Sequence, residues 1–184
     1  MLIVYPIVYV LFGVLAFLLL AYAAPRRYQV KVTRVVPAPP ERVWAYVSDP
    51  ARFPHFFPYV ADCVHAGGPE RGPGQRRRVV LDRRGTPGER EETATRWEEN
   101  RLLELTHGPE TRGGRAVPWV EAKSEFRLAP ADGGTAVTGV LWFSGRDALG
   151  RVLALLSYRK RHEADLRAAL AHLERRLREE AFPP

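Results

Sequence analysis

Cysteine pairs, lysine and charge in the first two dozen residues are what this chain has least of. Cys63 is the single cysteine, which excludes an internal disulfide and any site built on a cysteine pair. That fits a reducing compartment, and the thiol itself reads as a small buried hydrophobe. Lysine occurs only at Lys31, Lys123 and Lys160, although Lys and Arg together number 28 against 21 Asp and Glu. The positive excess is therefore arginine. His55, His65, His107, His162 and His172 show no H-E-x-x-H spacing, so no metal is assigned. On a helix His162 and His172 would stand roughly 80° apart in azimuth and nearly three turns apart, too far to chelate one ion. Gly67, Gly68, Gly72 and Gly74 have the wrong spacing for a dinucleotide fingerprint, and no cofactor is expected. No nucleophile, acid or base forms a recognisable constellation. His55 alone has a local case for acid–base work, and a packed or solvent-facing ring is the commoner outcome.

Residues 1–24 carry no charged side chain and are interrupted only by Pro6 and Gly13. A helix of about 20 residues crosses a hydrocarbon core of about 30 Å, so the segment is expected to span a membrane as a retained anchor. The domain would then occupy residues 25–184. Ala21-Tyr22-Ala23 resembles a signal-peptide cleavage site, but no Lys or Arg precedes it. Arg26 and Arg27 follow at once, which by the positive-inside rule puts the domain of a single-pass protein on the cytoplasmic side.

Beyond the anchor, the β-branched run at residues 30–36 predicts a strand, stopped by Pro37, Pro39 and Pro40. A helix follows, with Glu41 in its first turn and Val43, Trp44 and Val47 on one face. Asp49 reads as an N-cap and Pro50 as the first position of a second short helix ending near Phe56. Further strands are expected at residues 59–66, 75–82, 91–97, 102–106, 119–128 and 135–143, and turns at Gly67-Gly68-Pro69, 85–88 and 130–134. Gly113 and Gly114 fall in a loop. In residues 119–128, Val120, Ala122, Ser124, Phe126 and Leu128 alternate with Glu121, Lys123, Glu125 and Arg127, the pattern of a half-buried strand. Residues 147–180 are expected to be helical.

Two phrases carry a resemblance. V-x-A-P-x-x-x-V-W, through Val36, Ala38, Pro39, Val43 and Trp44, and D-P-x-x-F-P-x-F-x-P, from Asp49 to Pro58, resemble the opening of START-like (SRPBCC, or Bet v 1-like) domains. The likeness runs over residues 28–180 and is nearest the coenzyme Q-binding and polyketide cyclase/dehydrase lipid-transport branches. It implies an α+β helix-grip fold, a curved antiparallel sheet wrapped on a long C-terminal helix, with a cavity between them that receives lipids, isoprenoid quinones, sterols or polyketides.

On that implied fold, strand alternation and the helix face nominate Val120, Ala122, Ser124, Phe126, Val152, Leu156 and Arg159 as wall residues. Trp44, Phe53, Phe56, Phe57 and Trp97 would lie near the entrance or in the core, and the aromatic run 53–59 would form a lip near the membrane. Two columns run along the C-terminal helix: Val152, Arg159, Leu166, Leu173, and Leu156, Glu163, Leu170, Leu177. Arg159 and Glu163 interrupt them, with His162 beside. Either the pair faces the cavity and holds a polar ligand head, or the helix breaks near Ser157 and the pair sits at an open edge in water.

Arg76, Arg77 and Arg78, with Arg83 and Arg84, form the main basic cluster. On a strand Arg77 takes the face opposite Arg76 and Arg78. A solvated face, anionic lipid contacted together with Arg26 and Arg27, and nucleic acid are the three readings; no recognition-module motif supports the last. The expected function is membrane-anchored binding or transport of a hydrophobic small molecule. The alternatives are a cyclase- or dehydrase-type enzyme and a protein-interaction module at the membrane.

Overall fold

The computed structural model describes residues 4–83, 85–117 and 119–181, with residues 119, 121 and 122 described by backbone alone. Helix α1 (Val4–Ala23) is apolar and solvent-exposed along most of its length. Within it, Tyr5–Ala23 is long and apolar enough to cross a bilayer.

After α1 come strand β1 (Tyr28–Val36), helix α2 (Pro40–Ser48) and a 3-10 turn (Pro50–His55). Pro40 opens α2, where a missing N–H costs nothing, and the Asp49 side chain caps the 3-10 turn by accepting from Ala51 N at 2.9 Å. A meander follows: β2 (Val60–Gly67), β3 (Arg76–Arg83), β4 (Thr86–Glu98), β5 (Leu102–His107), a small hairpin of β6 (Thr111–Arg112) and β7 (Arg115–Ala116), β8 (Trp119–Ala131) and β9 (Gly134–Gly145). The strands make one antiparallel sheet in the order β1-β9-β8-β5-β4-β3-β2, with the β6–β7 hairpin attached to β4. The hairpin occupies the segment expected to be loop, and the turn expected over 85–88 is tighter, because β4 already begins at Thr86.

The C-terminal segment is α3 (Ala148–Leu153), a π-helical turn (Ala154–Tyr158) and α4 (Arg159–Ala181). Asp147 caps α3, accepting from Gly150 N at 2.7 Å. Helix α4 lies mainly along β1. Arg34 of β1 pairs with Glu174, and Arg42 and Tyr46 of α2 both reach Glu180, the former at 3.0 Å. From the far side, Arg83 of β3 pairs with Asp165 at 2.5 Å, with its guanidinium carbon 3.9 Å from the centre of the Tyr59 ring.

The core lies between sheet and helices. Leu166, Ala169, Leu170, Leu173 and Leu177 of α4 meet Val43 and Val47 of α2, the cluster Phe53, Phe56 and Phe57, and Phe126, Val137 and Phe143 of the sheet, all buried. Gly139 admits α4: a Cβ there would come within 2.8 Å of the Leu166 side chain.

Two phase shifts separate this structure from the sequence pattern. A β-bulge between Glu121 and Lys123 slips β8, so Val120 pairs with Ser144 and is 37 % exposed, whereas Ser124 and Phe126 stand opposite Leu141 and Gly139. Val120 is thus not a wall residue. Similarly, the π turn has more residues per turn than an α-helix, so it rotates the chain ahead of α4. Ala154 is buried and Tyr158 packs on the core, while Leu156, expected inside, is 62 % exposed.

Candidate functional site

Strand alternation puts Arg77, Val79 and Leu81 on the concave face of β3 and leaves Arg76 and Arg78 in solvent. The same rule turns Arg90, Glu92 and Ala94 inward on β4, and Leu103, Leu105 and His107 inward on β5. In the ladder, Arg77 is the direct partner of Glu92, and Glu92 is the partner of His107. Three adjacent strands therefore carry Arg, Glu and His in one cross-strand row, on the face where a core would otherwise continue.

The row is closed by ion pairs. Arg77 Nε donates to Glu92 Oε2 at 2.7 Å and its Nη2 lies 2.6 Å from the same oxygen. Arg90 takes the other oxygen, with Nε at 2.8 Å and Nη2 at 2.7 Å. Arg90 Nη1 reaches Glu110 Oε2 at 3.5 Å, and Arg112 donates to Glu110 Oε1 at 2.9 Å. The chain of charges thus runs from the buried face of β3 to the half-buried Arg112 on the hairpin. Burial works against ionisation of Glu92, but Arg77, Arg90 and His107 outweigh it and bring its pKa down to about 2. Arg77 also lies over Phe53, its guanidinium carbon 4.1 Å from the ring centre. Its Nη1 is buried and has no hydrogen-bond acceptor among the described residues.

His107 Nε2 shares a 2.9 Å hydrogen bond with Ser124 Oγ and lies 3.7 Å from Glu92 Oε1. Both neighbours approach the same ring nitrogen. A serine–histidine–acid relay needs the acid on the other nitrogen, so Glu92 is not placed as the acid of such a relay. Cys63 is buried nearby in the core, and burial pushes its thiol up to about 12, far from a reactive thiolate.

The sequence-predicted residues distribute as follows. Ser124 joins the row through His107, and Phe53 lies against Arg77. Phe56, Phe57, Phe126 and Val152 are buried packing residues, so the aromatic run is core and not a lip: Phe53, Phe56 and Phe57 contact one another. Trp44 and Trp97 meet edge to face at 5.2 Å. With Gln75, His65 and Asp49 they line a groove of about 700 Å³ at the α2 end of the sheet, away from α1. The Ala122 side chain lies outside the described residues.

Arg159 is exposed, and Glu163 pairs with Arg167 at 2.5 Å. Arg159 and Glu163 flank a groove above Val30 and Lys31, where Arg159 is exposed and Glu163 half-buried, outside the buried core. The neighbour His162 points inward instead, 4.7 Å from the Phe143 ring. Arg77, grouped with the lipid-facing arginines in the sequence, is fully buried and cannot meet a lipid surface. Sequence reasoning missed Arg90, Glu92, His107 and Glu110. The signal was present in R-E-E at 90–92, where alternation must bury either the outer pair or the middle residue of a strand.

Residues 27–178 match the family model described as polyketide cyclase / dehydrase and lipid transport. No curated protein matches the chain. Among solved structures, TTHA0849 from Thermus thermophilus superposes with a TM-score of 0.67 at 19% identity, over 84% of this chain and 100% of the other. A START superfamily protein from Mycobacterium smegmatis gives 0.63 at 17% identity, over 82% and 97%. At such identities the likeness is one of fold.

Proposed function

The chain belongs to the polyketide cyclase / dehydrase and lipid transport family, with a START-like helix-grip fold, and from that premise we propose that it binds a hydrophobic small molecule on the concave face of its sheet. The apolar body of the ligand lies against the aromatic core, and its polar end meets the Arg77–Glu92–Arg90 row. A lipid, an isoprenoid quinone or a polyketide-like compound has that division. Residues 1–24 act as the anchor and 25–184 as the binding domain, held on the cytoplasmic side. The anchor raises the local concentration of a membrane-borne ligand, and burial supplies about 25 cal/mol per Å² of apolar surface.

One observation carries this reading: a fully buried arginine with a nitrogen lacking an acceptor among the described residues, on the face that the fold uses to grip. A buried donor without a partner is costly, and a ligand oxygen would satisfy it. The test is extraction and mass spectrometry of small molecules from the full chain, purified from its native membrane. A stoichiometric apolar molecule with an oxygen-bearing head is expected. A chain that is empty whenever purified from native membrane would overturn the reading.

The hydrogen-bonded His107 and Ser124 pair favours a second reading, an enzyme that moves a proton on a bound polyketide-like substrate. Conversion of the co-purified molecule by wild type and not by His107→Gln would select it over simple carriage.

A further inference from the structure

Leu149, Leu155 and Leu156 are 54, 40 and 62 % exposed within eight residues of chain. Leu155 and Leu156 adjoin in the chain, and contiguous exposed apolar surface marks an interaction site where single exposed side chains do not. Their position is set by the fold. Helix α3 packs against α1, whose last turn has Ala21 buried, with Ala24 buried just beyond it, and the Tyr28 hydroxyl donates to Arg151 O at 3.2 Å. Gly145 permits the close approach, since a Cβ there would collide with the backbone nitrogen of Arg151. The leucines therefore stand beside the point where α1 joins the domain.

The π turn supplies the reason they face out. It keeps Ala154 and Tyr158 on the core while Leu155 and Leu156 are carried to the surface. Directly after it come Arg159, Lys160 and Arg161, all exposed. Between residues 146 and 161 the chain has five basic residues and one acid, Asp147, whose carboxylate is committed to the cap. Leucines followed by a basic run are the composition of a segment that rests in the interfacial zone of an anionic bilayer.

We propose that α3 and the π turn form a membrane-seating surface, in which Leu149, Leu155 and Leu156 enter the headgroup boundary of an anionic leaflet and Arg159, Lys160 and Arg161 meet its phosphates. This rests on α1 being a membrane anchor, and adds to it a second, peripheral contact that fixes the domain's tilt. The domain is thereby held at the bilayer by two contacts, not swung free on the short link between α1 and β1.

The test uses the full chain in proteoliposomes containing anionic lipid, with a thiol-specific fluorophore at Leu156→Cys, at Leu18→Cys in α1, or at Val64→Cys on β2. Cys63 is buried, so labelling is selective. Brominated lipids report depth. Quenching at 156 several-fold stronger than at 64, and greatest with bromines near the headgroup, is the expected result. Strong quenching at 18 with 156 no different from 64 overturns the seating surface and leaves the anchor standing. No quenching at 18 removes the anchor and the seating surface together. A probe at 156 shielded equally in detergent, with chains cross-linking through that position, assigns the leucines to a protein partner and overturns the proposal.

Discussion

Arg77 carries its guanidinium carbon 4.1 Å from the centre of the Phe53 ring while the same group pairs with Glu92. The ring covers a face of the cation that the carboxylate cannot reach. Phe53→Leu keeps an apolar side chain but loses the ring, and should cost about 0.5–2 kcal/mol beyond its packing loss. Arg77→Leu leaves Glu92 with Arg90 as its remaining close guanidinium and should cost about 3–5 kcal/mol. Denaturant titration measures both, with Arg76→Leu on the exposed face as reference. Equal losses for Arg77→Leu and Arg76→Leu would contradict the buried pairing.

Glu92 predicts an acid limb. Its folded pKa of about 2 lies below the ordinary value of 4.5, so the stability it confers is complete above pH 4.5 and is lost as pH falls from there towards 2. The contribution is about 3 kcal/mol. Surface carboxylates Glu104, Glu174 and Glu180 are also held below their ordinary value, by Lys123, Arg34 and Tyr46 in turn, and add to the same limb. Glu92→Gln isolates the buried group: its stability should be lower at pH 7 and fall less steeply between pH 4.5 and 2. An unchanged slope would place the proton elsewhere.

Cys63 should resist modification. Its thiol is buried and pushed up to about 12, so iodoacetamide at pH 8 should leave the native chain unlabelled. Addition of denaturant should expose it in step with the loss of structure. Rapid native labelling would mean that β2 opens locally.

Two glycines separate tolerance from intolerance. A Cβ at Gly139 meets the end of the Leu166 side chain, which can turn aside, so Gly139→Ala should cost about 1 kcal/mol. A Cβ at Gly145 meets the backbone of α3, which cannot, so Gly145→Ala should cost about 3 kcal/mol and loosen α3 from β9. Thermal or denaturant midpoints of the two variants check the order.

Much of the fold was legible. Pro40, Asp49 and the β-branched run of β1 act through local rules, and the positions of α2, the 3-10 turn and β1 follow from them. Leu166, Leu170, Leu173 and Leu177 were readable as one buried face for the same reason. The site was less legible because its residues depend on phase. A single bulge near Ala122 moved Val120 out, and a single π turn moved Leu156 out, and neither leaves a local mark that alternation or heptad counting detects. The Arg77 row was hidden differently. It joins three strands whose register is set by turns and pairings remote from one another in sequence, and it buries charges where patterning expects leucine.

Helix α4 lies along β1, and the opposite wall, β3 to β5, is lined in part by Arg77, Glu92 and Arg90, with Glu110 just beyond β5. The two sides of the grip therefore respond differently to being parted. Leucines drawn away from β1 would expose oil to water and gain nothing in return, whereas ions drawn away from one another regain their hydration shells. The leucine seam behaves as the spine of a book and the ionic seam as its open edge. Acid acts on that edge through Glu92, and on the rim of the spine through Glu174, which Arg34 of β1 holds.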